Sequence, residues 1–226
     1  MVAEYIISEI KKNIKSQEVK QIQFHLDYDG ERFKSWKEMP AITRAYMRYS
    51  TEPTVAMGLW AERVFKGRSW DHKLLIKNDP KLNSNAVHRK VRALAGVREA
   101  RRINEMPVNS ESWWHKYNGH DYYLDVWSNI HYGYVGLECG FSEKILLGGA
   151  DFAQFLDNEQ LFIGDAPDDV ISMKIGFSLY YEFKNKLGEL TPLVVLDRLE
   201  AASLISSRET HICNHEFKEE VENSDY

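Results

Sequence analysis

Apolar residues recur at the 3.6-residue period of an α-helix along most of this chain, and at a period of two in one short stretch. Val2, Ile6, Ile7, Ile10 and Ile14 predict a helix over 2–15 with lysines on the opposite face. Ile22, Phe24, Leu26 and Tyr28 alternate before Asp29-Gly30, which predicts a strand or hairpin arm over 22–28. Helical spacing resumes over 40–49 and 53–66, with Pro53 suited to a first turn and Gly67 to a C-terminal cap. Further helices are expected over 84–105, 111–127, 141–156, 169–187 and 191–206, with Pro107 and Pro192 at boundaries. The pattern predicts a mainly α fold: one compact helical domain over 1–208 with at most a small β hairpin near its N-terminus. An acidic, polar tail over 209–226 is expected to fray.

An apolar fraction of 43% supports a substantial core, and a net charge of −5 argues against general affinity for nucleic acid. Two cysteines, Cys139 and Cys213, are too few for a disulfide framework and point to a reducing origin. The first residues have acid where a signal peptide has base, and no run reaches a membrane span. The expectation is a chain made in the cytoplasm.

Seven of the 13 glycines fall between Trp127 and Tyr180. A glycine within an apolar helical pattern is costly unless a positive φ or close backbone approach requires it. Asn129-Ile130-His131-Tyr132-Gly133-Tyr134-Val135-Gly136 reads as a turn that sets polar side chains beside exposed amides able to cradle an anion. There His131 is a candidate acid or base, or a residue bonded to backbone. In Trp70-Asp71-His72-Lys73 the acid and lysine form a polarised pair, or Asp71 caps the next helix. Gly164-Asp165-Ala166-Pro167-Asp168-Asp169 has three acids where capping explains one, so Asp165 and Asp169 are candidate catalytic or cation-holding carboxylates. Cys139 reads as a small buried residue rather than a nucleophile. His211-Ile212-Cys213-Asn214-His215 has the composition of a metal site but lacks a fourth ligand, so no metal site is assigned. Arg89, Lys90, Arg92, Arg98, Arg101 and Arg102 make the expected helix over 84–105 basic. With the aromatics Trp113 and Trp114 this region is a candidate surface for a partner protein.

In this order the motifs resemble the polymorphic toxin type 44 family, helical toxin modules of bacterial competition systems. The resemblance rests on Trp70-Asp71-x-Lys73, the Asn129-to-Gly136 block, Gly140-Phe141, Gly149-Ala150 with Gln154, Gly164-Asp165-x-Pro167-x-Asp169, and Gly176 with Tyr180. It covers about 55–185, with an expansion over about 84–120. His72 stands where the family has tyrosine, Ala166 where it has a second aspartate, and Val170 near its glutamine.

The resemblance implies a secreted antibacterial effector, paired with an immunity protein and exported by a carrier machine such as type VI secretion. The residues point first to a hydrolase acting on peptidoglycan in a competitor's periplasm, needing no cofactor. Asp71, His131, Asp165 and Asp169 are the expected catalytic residues. Lys73, Asn129, Tyr132, Gly133, Gly136 and Gln154 are expected to bind substrate. The alternatives are a nuclease in the target cytoplasm, with a divalent cation on Asp165 and Asp169, and a non-enzymatic or immunity-like binder.

Overall fold

The computed structural model describes residues 1–26, 40–46, 52–79, 81–82, 114–148 and 167–211. The fold is mainly α. The described helices are α1 (Val2–Asn13), α2 (Gln17–Leu26), α3 (Ala41–Tyr46), α4 (Glu52–Val64), α5 (His72–Asn78), α6 (Asp125–Glu138), α7 (Glu143–Leu147), α8 (Pro167–Phe183) and α9 (Pro192–Ala201). Three short strands, β1 (Trp114–Tyr117), β2 (His120–Tyr123) and β3 (Arg208–Thr210), form one antiparallel sheet in that order.

The α6–α8 pair is the centre of the molecule. Asn129 meets Asp169 and Tyr134 stacks edge-on against Tyr180, so the two helices run parallel. They approach so closely that a Cβ on Gly133 would lie 2.4 Å from the Met173 carbonyl oxygen, and one on Gly176 2.3 Å from that of Ile130. Backbone lies against backbone there, and only glycine fits. A Cβ on Gly136 would lie 2.6 Å from the buried Leu146 of α7. Ile6 and Ile10 are fully buried where α1 lies on α6 and α9, while α2 packs on α4.

Over 22–26, the described part of the strand expected over 22–28, the chain is instead the end of α2. Ser16 caps that helix, its Oγ accepting from the Val19 amide at 3.3 Å, and Val19 and Ile22 turn inward at helical spacing. Phe24, the second member of the apparent alternation, is half exposed.

The expected helix over 111–127 is also corrected, because its described part contains the β1–β2 hairpin. Asn118 and Gly119 have φ of 46° and 77°, the left-handed pair of a two-residue hairpin turn. Trp114 pairs with Tyr123 and is buried in the core, so it is no surface anchor. β3 then pairs Glu209 with Asp121, which places the start of the expected tail in the sheet. The expected basic helix over 84–105 lies outside the described residues.

Asp168 ties β3 to α8. Its buried carboxylate accepts from the amides of Ile205, Ser206 and Ser207 at 2.8, 2.7 and 2.7 Å, and from Ser206 Oγ at 3.0 Å. Burial pushes this carboxyl up, but the amides and the hydroxyl outweigh it and hold it below its ordinary range.

Candidate functional site

The Asn129-to-Gly136 motif lies inside α6, not in a turn. Its amides are committed to the helix ladder, so the anion cradle expected at Gly133 and Gly136 does not form. The two glycines instead let α8 and α7 approach. A helical path has a second consequence. Residues two apart point about 200° apart, so Asn129 and His131 face opposite sides of α6.

On one side Asp125, Asn129 and Tyr132 form a half-buried polar stripe. Lys73 of α5 lies 3.6 Å from Asp125, so its ion pair is with this residue. Asn129 Nδ2 donates to Asp169 Oδ1 at 2.9 Å across the α6–α8 seam. The Tyr132 hydroxyl donates to the Leu146 carbonyl at 3.4 Å, and its ring stacks edge-on with Trp60 at 5.1 Å. Trp60 also meets Trp70 and Phe141, making an aromatic wall behind the stripe. The result is two carboxylates, an amide, an ammonium and a phenol on a face that solvent reaches.

On the other side lies a buried histidine pair. His72 and His131 are 0% and 1% exposed, and their rings meet edge-on with centroids 4.1 Å apart. The Tyr5 hydroxyl lies 2.9 Å from His72 Nδ1, and Asn13 Nδ2 donates to His131 Nε2 at 2.9 Å. Burial lowers His72 to about 4. Burial first, and then the neighbouring His72, hold His131 well below the ordinary histidine range. Asp71 occupies the N-cap position of α5, but its carboxylate turns back to accept from the Gly67 amide at 2.8 Å. It therefore closes the preceding turn.

The sequence-derived residues thus divide. Lys73, Asn129, Tyr132 and Asp169 gather on the open side, whereas Asp71 and His131 belong to the buried side. Asp165 and Gln154 lie outside the described residues. Asp125 was missed, although it stands one helical turn before Asn129; Tyr5 and Asn13 are distant in sequence and gave no local signal. Cys139 is fully buried, and burial pushes its thiol far up. A third buried histidine, His115, accepts from Trp127 Nε1 at 3.2 Å and faces the Leu82 carbonyl at 3.1 Å, an arrangement that fits only the neutral ring. Burial lowers it to about 4. His211 pairs with the buried Asp121 at 2.8 Å; Cys213 and His215 lie outside the described residues.

Among the described residues no three His, Cys, Asp or Glu side chains gather to hold a metal ion, and no helix is long and apolar enough to cross a membrane. No curated protein and no solved structure matches this chain. The family model described as bacterial toxin 44 matches residues 59–182, more than half of the chain and the whole of α5 to α7. Both polar sides of α6 fall inside that span, and the chain belongs to the bacterial toxin 44 family.

Proposed function

We propose that this toxin is a hydrolase that cuts peptidoglycan, and that it works from the open side of α6. The observation that supports this most is the Asn129–Asp169 bond at 2.9 Å, with the Lys73–Asp125 pair one helical turn earlier. Glycan cleavage needs a carboxyl on each side of the scissile bond, with hydrogen-bonding groups to hold the sugar. Asp169 is the proposed base or nucleophile and Asn129 orients it. Asp125, or Asp165 four residues before Asp169 in the chain, is the proposed acid. Lys73 and Tyr132 hold substrate. His131, buried and bonded to Asn13, acts on the framework instead. Two carboxylates beside one paired lysine favour a substrate less anionic than nucleic acid. The same reading includes export by a carrier machine, action in the competitor's periplasm and neutralisation by an immunity protein.

The test is to express the chain with and without a periplasmic signal, and to incubate purified protein with isolated sacculi. Lysis only with the signal, and soluble muropeptides lost in Asp169→Asn, are expected. Degraded nucleic acid and cytoplasmic toxicity would replace this reading with the nuclease. Toxicity unchanged by Asn129→Ala with Asp169→Asn would point to a toxin acting by binding.

A further inference from the structure

His72 and His131 meet where α1, α5 and α6 join. Two of their ring nitrogens, His72 Nε2 and His131 Nδ1, are buried without a hydrogen-bond partner among the described residues. We infer that this pair is an acid-sensitive latch for α1: neutral rings seat the helix, and protonation releases it.

The geometry carries the argument. Both rings take their polar contact from α1, His72 from Tyr5 and His131 from Asn13. Asn13 Nδ2 is a donor, so His131 Nε2 must accept, which a protonated ring cannot do. Protonation would force the amide to turn its oxygen inward and would still leave Nδ1 with a proton and no acceptor. A charged His72 carries a proton on both nitrogens, so the Tyr5 hydroxyl must accept and Nε2 donates to nothing. Two cations with ring centroids 4.1 Å apart would also repel in a buried site.

The charged groups around the pair do not rescue it. Glu9 of α1 and Asp71 of the preceding turn favour the charged form of His72, and Lys12 opposes it. Burial outweighs them, leaving His72 at about 4, and Tyr5 and Trp70 bring no charge of their own near neutrality. Release of α1 removes from both rings the contacts that a protonated pair cannot satisfy. That helix lies outside the span 59–182, whereas α5 and α6 lie within it. Ile6 and Ile10 hold α1 by apolar contact at any pH, so the imidazoles supply the pH-dependent part.

The sign follows from linkage. Both histidines are depressed in the folded protein, so their contribution is complete above the unfolded value of about 6.5 and falls as pH drops toward 4. His72 alone then raises the opening constant of α1 by about 60-fold between pH 7 and pH 4.5.

Hydrogen exchange on the intact chain reads this directly, after correction for intrinsic exchange rates. Amides of α1 should lose about 60-fold protection on going from pH 7 to pH 4.5 while α6 and α8 keep theirs. The variant His72→Phe with His131→Leu should make α1 protection independent of pH. Unchanged α1 protection in the wild type, loss shared equally with α6 and α8, or pH dependence surviving in the double variant would overturn the latch. If the double variant does not fold, an NMR titration of the wild-type imidazoles decides. His72 must titrate near 4 and His131 well below the ordinary histidine range, and either one titrating near 6.5 rejects the proposal.

Discussion

The two sides of α6 use similar residues for opposite ends. On the open side Asn129 bonds a carboxylate that solvent reaches; on the closed side Asn13 bonds an imidazole that solvent does not. Asp169 and Asp168 repeat the contrast one residue apart, since Asp168 is fully engaged by the 205–207 loop and Asp169 faces Asn129. Chemistry needs groups whose protonation and contacts can change, and stability needs groups whose contacts cannot. Residue type alone therefore does not mark a site; the side of the helix decides.

The contrast depends on the rotation of α6, which the glycine contact with α8 fixes. Gly133→Ala or Gly176→Ala drives a methyl into backbone, and each should cost about 3 kcal/mol or prevent folding, by urea denaturation. Gly58→Ala is the control. A Cβ there meets nothing within 4 Å, and the change should stabilise α4 by about 0.5–1 kcal/mol. Loss from Gly58→Ala equal to that from Gly133→Ala would mean that helix contact is not the reason for glycine.

The paired aspartates sharpen the contrast next. Asp168→Ala should cost about 3 kcal/mol, because it leaves buried amides without an acceptor. Its depressed carboxyl stabilises the fold above the unfolded value of about 4 and loses that effect as pH falls through the lower folded value. Asp169→Asn should leave the melting temperature within about 2 °C and lower activity about 100-fold. A smaller effect is expected from Lys73→Met, about 0.5 kcal/mol at low salt and less at high salt, because Lys73 is itself half-exposed and its partner lies 3.6 Å away.

The sequence made much of the helical framework readable and misassigned the places where distant segments meet. The spacing of Ile6 and Ile10 in α1, and of Ile175 and Leu179 in α8, is local, and these residues are buried as the period requires. The Asn118-Gly119 hairpin signal was also present, but the apolar residues around it fitted a helical period as well. β3 could not be read, because its partner Asp121 lies far away in the chain. For the glycines the general reason was right and the choice within it was not. Gly133 and Gly176 serve close backbone approach rather than a positive φ, and that depends on a second helix the local sequence does not reveal. His72 showed only as a departure from the family's tyrosine, since Tyr5, which gives it meaning, stands 67 positions away.

The most direct test of the central claim measures muropeptide release per folded molecule at pH 7 for two variants, one from each side of α6. Asn129→Ala with Asp169→Asn should abolish release while thermal stability holds. His72→Leu should change the melting temperature while release per folded molecule stays within about threefold of wild type. Release abolished by His72→Leu at unchanged stability, with the Asn129 and Asp169 variant still active, would contradict the account and move the chemistry to the histidine side.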